Sequence, residues 1–175
     1  MKEGLYMAKD IFTKYGEFNS ADEINEAVKN QLANGDIDAI KEIAEENGID
    51  PDDAEDFITG GWDRICSPTS AALGKIIVES EAMQITGIMK DWIRYIQMCI
   101  SESQEFAVAV RSKGKSLAGA LGAILKESEK LMTDVDDAIL KAADIDFPGK
   151  VKFGIPEEAK VREIVKKYYL GGNEE

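Results

Sequence analysis

Histidine is missing altogether from the 175 residues. Its absence excludes every Ser-His, Cys-His and His-ligated metal mechanism, leaving an enzyme only carboxylate, lysine or backbone chemistry. Cysteine is scarce: Cys66 and Cys99 stand 33 positions apart without a C-x-x-C spacing, so neither a zinc site nor a disulfide framework is indicated. A reduced, intracellular compartment is the resulting expectation. No run approaches the roughly 18 apolar residues of a membrane span, and Met1-Lys2-Glu3-Gly4-Leu5-Tyr6 lacks the apolar core of a secretory signal. A cytoplasmic protein without membrane contact is therefore expected. Basic charge is also short, with 21 Lys and Arg against 34 Asp and Glu and a formal charge of −13. That balance disfavours a free-standing nucleic-acid binder, whose affinity for phosphates comes from clustered cations.

What is present is enough to fold. An apolar fraction of 44 % supports a core despite the charge, and excludes intrinsic disorder. Only four prolines interrupt the chain, and widely spaced turn residues point to long helical segments. The expected class is all-α, a compact protein of eight or nine short helices with one short β element near 150–154.

The chain reads as follows. Leu5–Tyr15 forms a first helix ended by Gly16. Ser20-Ala-Asp-Glu23 is a capping box that opens a helix with Ile24, Val28 and Leu32 on one face. Asp36 caps the next, with Ile37, Ile40, Ile43 and Ala44 inward and Asn47-Gly48 as its stop. Asp50-Pro51 is an N-cap followed by a first-turn proline, and it opens a short helix burying Ala54, Phe57 and Ile58. A helix from Pro68 toward Glu81 carries Leu73, Ile76 and Ile77. Ile88, Trp92, Ile93, Ile96, Cys99 and Ile100 make the strongest stripe, which predicts the central core helix. Ser103 starts a helix with Phe106, Ala109 and Val110 inward, and Ser116 starts another that is rich in Ala and Gly. Asp134–Ala143 and Pro156–Tyr169 complete the set. Trp62 is expected to be half buried and Trp92 fully so.

Charge divides the chain. Residues 1–63 hold 17 acids and 5 bases, whereas 64–175 are nearly neutral, so an acidic helical N-terminal region and a helical core are the two expected regions, 1–63 and 64–175, of one compact unit. Glu42, Glu45, Glu46, Asp50, Asp52, Asp53, Glu55 and Asp56 are eight carboxylates in fifteen residues without a base. Helical spacing gathers Glu42, Glu45 and Glu46 on one stripe and Asp52, Glu55 and Asp56 on another. Acids near helix starts are favourable in themselves. They also form a ridge able to attract a basic partner across about one Debye length, some 8 Å.

Two motif likenesses fail. Asp50-x-Asp52-Asp53 starts like a calcium loop, but the sixth position is Glu55 rather than glycine and Gly61 stands where the bidentate glutamate belongs. Gly114-Lys115-Ser116 ends like a phosphate loop, yet position 109 is alanine and a helix precedes it. Arg111, Lys113 and Lys115 remain as a basic turn, a candidate secondary contact for phosphate or for weak DNA binding. No cofactor fingerprint or nucleophile–base spacing is present, so an enzyme is not expected.

Phe106-Ala-Val-Ala-Val-Arg-Ser-Lys113-Gly114-Lys115-Ser116-Leu117, followed by Ile124-Leu125 and a terminal helix ending Tyr168-Tyr169, resembles the PcfK-like proteins of bacterial conjugative and other mobile elements. The resemblance covers about 65 residues; Lys167 stands where that family often has histidine. The stretch from Ile43 to Phe57, with Ala71-Ala-Leu-Gly-Lys75, resembles small proteins of gut bacterial mobile elements, some of which act as anti-CRISPRs. Such a resemblance implies a non-catalytic inhibitor of a type II CRISPR effector nuclease with its guide RNA, whose nucleic-acid channel is strongly basic. The alternative it implies is an accessory interaction protein of plasmid transfer or mobile-element maintenance, self-associating or docking through the basic turn or the small-residue helix at 117–125.

Overall fold

A computed structural model of the chain describes residues 11–144 and 149–171. Nine helices occur among them, as the helical spacing predicts, with a two-stranded sheet of which only the strand near 152 is expected. The chain groups into two compact units, Met1–Ala118 and Gly119–Glu175. The acidic N-terminal third thus shares its unit with the helices up to residue 118, and the division falls well beyond the charge boundary at 63.

In the first unit, α1 (Ala21–Ala33), α2 (Ile37–Glu46) and α3 (Pro51–Ile58) follow their predicted caps. The Ser20 hydroxyl accepts from the Glu23 amide at 3.1 Å, but the Glu23 carboxylate reaches the Asn19 amide, one residue before the predicted Ser20. Asp36 accepts from Ala39 N–H at 3.0 Å, and Asp50 from Asp52 N–H at 2.9 Å. Their inward faces, with Ile24, Val28, Ile40, Ile43 and Phe57, close over Ile49, Ile65 and Cys66. Asn25 ties the 59–67 loop to this core: its Oδ1 accepts from Ile65 and Cys66 N–H, and its Nδ2 donates to the Cys66 carbonyl. Cys66 and Cys99 are free and buried; burial pushes the Cys66 thiol up to about 11, so it stays protonated and weakly nucleophilic at neutral pH.

The remaining helices of this unit are α4 (Pro68–Met83), α5 (Met89–Glu102) and α6 (Gln104–Arg111). The apolar stripe of α5 is buried as expected, apart from Ile88, which lies exposed before its first turn. The central helix is nevertheless α4, which packs on α1, α5 and α6. Its buried face is Ala71, Ala72, Gly74, Lys75, Ile76 and Glu79, while Ile77 is 41 % exposed. On α6 the inward residues are Phe106, Ala107, Val110 and Arg111, with Ala109 only half buried. The predicted helix at 5–15 has no counterpart over 11–15, which form an irregular strap, and residues 1–10 lie outside the described residues.

Glycine decides the close packing of α4. Asn47-Gly48, the turn after α2, lies backbone to backbone against Gly74: a Cβ built on Gly74 would stand 2.3 Å from the Asn47 carbonyl oxygen and 2.7 Å from that of Gly48. Gly48 also has a φ of +64°, where L side chains are strained.

The second unit contains α7 (Leu117–Lys130, which begins two residues before it), α8 (Asp137–Ala142) and α9 (Glu158–Leu170). The small residues of α7 serve a neighbour within the chain: a Cβ on Gly119 would meet the Tyr168 hydroxyl of α9 at 2.0 Å. Strand β1 (Thr133–Asp134) pairs antiparallel with β2 (Lys152–Phe153), Thr133 opposite Phe153. This pairing takes up Asp134, so α8 starts only at Asp137, after the Asp136 side chain has capped the Ala138 amide.

Candidate functional site

The sharp turn between α2 and α3 is seated on Gly74 and so brings those two helices beside α4. Between them lies a groove of about 910 Å³. Its floor is apolar, with Ala44, Ile49, Ala54, Leu73 and Ile77; its rim carries Glu45, Asp50, Asp52, Asp53 and Glu55 with Lys41 as the single cation. Lys41 Nζ lies 3.8 Å from Glu55 in an exposed pair, a contact of little energetic weight. Among the described residues no cation pairs with Glu45, Asp52, Asp53 or Asp56. The rim therefore projects an almost uncompensated negative field over an apolar surface.

The eight carboxylates singled out in the sequence separate into three environments. Glu45, Asp50, Asp52, Asp53 and Glu55 line the groove, and Asp56 is exposed outside it. Glu42 and Glu46 instead hold the 11–19 strap. The Glu46 carboxylate accepts the Lys14 amide at 2.8 Å and the Tyr15 amide at 3.1 Å, while Glu42 bonds Lys14 Nζ and accepts the Tyr15 hydroxyl at 2.7 Å. Those hydrogen bonds, from Lys14 first and Tyr15 second, hold the Glu42 carboxyl below its usual value. The contact is accordingly present above the ordinary carboxylate range and is lost only as the pH falls through the lowered value. Replacing Glu46 by Gln leaves one oxygen for two amides, and combining it with Glu42→Gln frees the strap. Trypsin cleavage after Lys14 is expected to accelerate severalfold in the double variant, with the rest of the first unit still resistant.

Arg111 departs from the expected basic turn: it is 1 % exposed and turned inward, its Nη1 donating to the Ala71 carbonyl at 3.3 Å, its Nη2 to Asn47 Oδ1, and its guanidinium lying 5.6 Å from the centre of the Phe12 ring. Its Nε has no hydrogen-bond partner among the described residues. Asn47 is fully buried and also donates to the Ile43 carbonyl at 2.9 Å, so Arg111 braces the turn that shapes the groove. Lys113 is exposed and Lys115 half buried, its carbonyl accepting from Lys75 Nζ at 2.7 Å.

Sequence reasoning missed the charges inside the fold. Lys75 is fully buried on α4; its ammonium also bonds Glu17 of the strap and lies 3.9 Å from Glu79, which is 6 % exposed. Glu79 in turn accepts the Leu117 amide at 2.5 Å, capping the start of α7. Trp62 is the other surprise, 62 % exposed beside the groove. Among the described residues no three His, Cys, Asp or Glu side chains converge to hold a metal ion, and no helix is long and apolar enough to cross a membrane. Comparison with protein-family models, curated proteins and solved structures finds no match.

Proposed function

We propose that the protein is a non-catalytic binding protein that inhibits the RNA-guided nuclease of a type II CRISPR system by docking the acidic α2–α3 groove on basic nuclease surface. One observation carries the reading: five carboxylates ring an apolar groove with a single lysine opposed to them. Carboxylates so placed offer a basic surface what phosphates would offer it, and they raise the rate of encounter as well as fixing its orientation. The likeness of 43–57 and 71–75 to small proteins of gut bacterial mobile elements, some of which act as anti-CRISPRs, points to the partner class. Occupation of the channel that holds guide or target nucleic acid is the step by which such a contact inhibits.

The test is DNA cleavage by a guide-loaded type II effector with the protein in large molar excess, at low and at physiological salt. Inhibition that weakens as salt rises is expected; undiminished cleavage at both salts overturns the reading for that nuclease. Glu45→Gln, Asp52→Asn, Asp53→Asn and Glu55→Gln together spare the Asp50 cap and the strap glutamates. The fourfold variant is expected to inhibit roughly 10- to 100-fold more weakly while keeping its helical circular-dichroism spectrum, with only the small loss of stability that neutralising two first-turn acids of α3 brings. Inhibition unaltered by it would place the contact elsewhere.

A further inference from the structure

The groove's chemistry extends past its charge. Resting on the basic-partner reading, we infer that its occupant is an amphipathic helix of the partner, about two turns long, that lays aliphatic side chains on Leu73 and Ile77 and sets Lys or Arg against the carboxylate rim. Three features argue for a helix with an apolar face over an extended basic tail.

The first is the floor. Ile77 is 41 % exposed and Leu73 half buried, on a helix whose opposite face buries Lys75 and Glu79. An apolar strip turned outward on α4 gives a charged tail nothing to grip, but it matches apolar side chains spaced three or four apart. The second is the backbone. The walls α2, α3 and α4 are helices whose hydrogen bonds run within themselves, and the first amides of α3 are already taken, Asp52 by the Asp50 side chain and Ala54 by the Asp50 carbonyl. No edge is offered for an extended peptide to pair with, so recognition rests on side chains, as when a helix lies in a groove. The third is length. At 1.5 Å per residue, the eight residues of α3 and the stretch Ser70–Ile77 each span about 12 Å, two turns of an opposing helix.

Trp62 completes the surface. It lines a second hollow of about 440 Å³ with Arg64 and Cys66, and this hollow adjoins the groove, Asp53 and Ser70 lining both. An exposed tryptophan at the edge of a groove is the residue type that most often dominates an interface, and its ring face also accepts a cation. A second copy of this chain is a poor occupant: α9 carries the largest excess of cations among the described helices, and it buries its own apolar residues Val161, Val165 and Tyr169.

The 175-residue chain is titrated with two acetylated lysine–leucine peptides of identical composition, one placing leucines at i, i+3, i+4 and i+7, the other scattering them around the helix. Trp62 fluorescence is the readout, with Trp62→Phe as the silent control, since Trp92 is 6 % exposed. The facially amphipathic peptide is expected to bind at least about tenfold more tightly near 0.15 M salt, and Ile77→Lys to erase that advantage. Ile77→Gln replaces it if the lysine variant fails a circular-dichroism check of folding. Equal affinity for the two peptides overturns this inference and leaves the basic-partner reading standing. No binding of either overturns both. Self-association that Ile77→Lys abolishes makes a second copy the occupant and also overturns it.

Discussion

Gly74→Ala is expected to destabilise the first unit by about 3 kcal/mol and to lower the melting temperature by roughly 6–12 °C. The methyl group would sit 2.3 Å from the Asn47 carbonyl oxygen and 2.7 Å from that of Gly48. Both obstacles are backbone, so no rotamer change relieves them, and the α2–α3 turn must lift off α4. Alanine's better helix propensity, worth up to about 1 kcal/mol, acts in the opposite direction and is too small to offset the clash. Gly122→Ala is the control. It lies in the interior of α7 with nothing within 4 Å of an added Cβ, and it is expected to gain about 0.5–1 kcal/mol. Thermal denaturation of the two variants beside the parent measures both effects. A Gly74→Ala protein that melts with the parent would mean that the Gly48–Gly74 approach does not hold the turn.

Lys75→Met is expected to cost about 3–5 kcal/mol, because it keeps the length of the side chain and removes the one ammonium that balances Glu79 inside the fold. The loss depends on pH with a definite sign. Burial pushes the Glu79 carboxyl up, and the Leu117 amide and then Lys75 pull it back. Without Lys75 it rises further. A carboxyl whose folded value lies above its unfolded one favours the fold most when protonated, below the unfolded value, and that contribution is lost as the pH rises through the folded value. The deficit of Lys75→Met is therefore larger at neutral pH than near the ordinary carboxylate value. Adding Glu79→Gln keeps an acceptor for Leu117 N–H and removes the stranded charge, so the double variant is expected to recover more than half of the loss. Urea denaturation of the two singles and the double, at two pH values, supplies the cycle. Strictly additive losses would show that Lys75 and Glu79 do not act as a pair.

Much of the fold is legible because helix starts are local. Ser20, Asp36, Asp50 and Ser103 each bind an amide two or three residues ahead, and those contacts are written in neighbouring residues. The interior of α4 is not legible in the same way. A pattern reader turns Lys75 and Glu79 outward and Ile77 inward, whereas the fold does the reverse, because the partners that make burial tolerable, Glu17 and the Leu117 amide, lie 58 and 38 residues away in the chain. Arg111 fails for the same reason. It sits in a basic run beside Lys113 and Lys115, and only the tertiary approach of Asn47 and Ala71 takes it inside. Of the acidic stretch, the sequence shows where charge accumulates but not that Glu42 and Glu46 are bound to Lys14 and Tyr15. The apolar floor was hidden too, since its residues come from three helices and the turn between two of them, and become one surface only when the Asn47-Gly48 turn meets Gly74.

That meeting of backbones separates two properties that most binding surfaces share. The width of the groove is set by the backbone at Asn47 and by two glycines, with Arg111 bracing the turn from behind through the Asn47 side chain. Its charge is set by side chains that project into solvent and, apart from the Asp50 cap and the favourable place of Asp52 and Asp53 in the first turn of α3, support nothing beneath them. Rim residues can thus be exchanged one after another without unseating the turn. A lineage facing a changing partner could rewrite what this surface recognises while the scaffold under it stays the same.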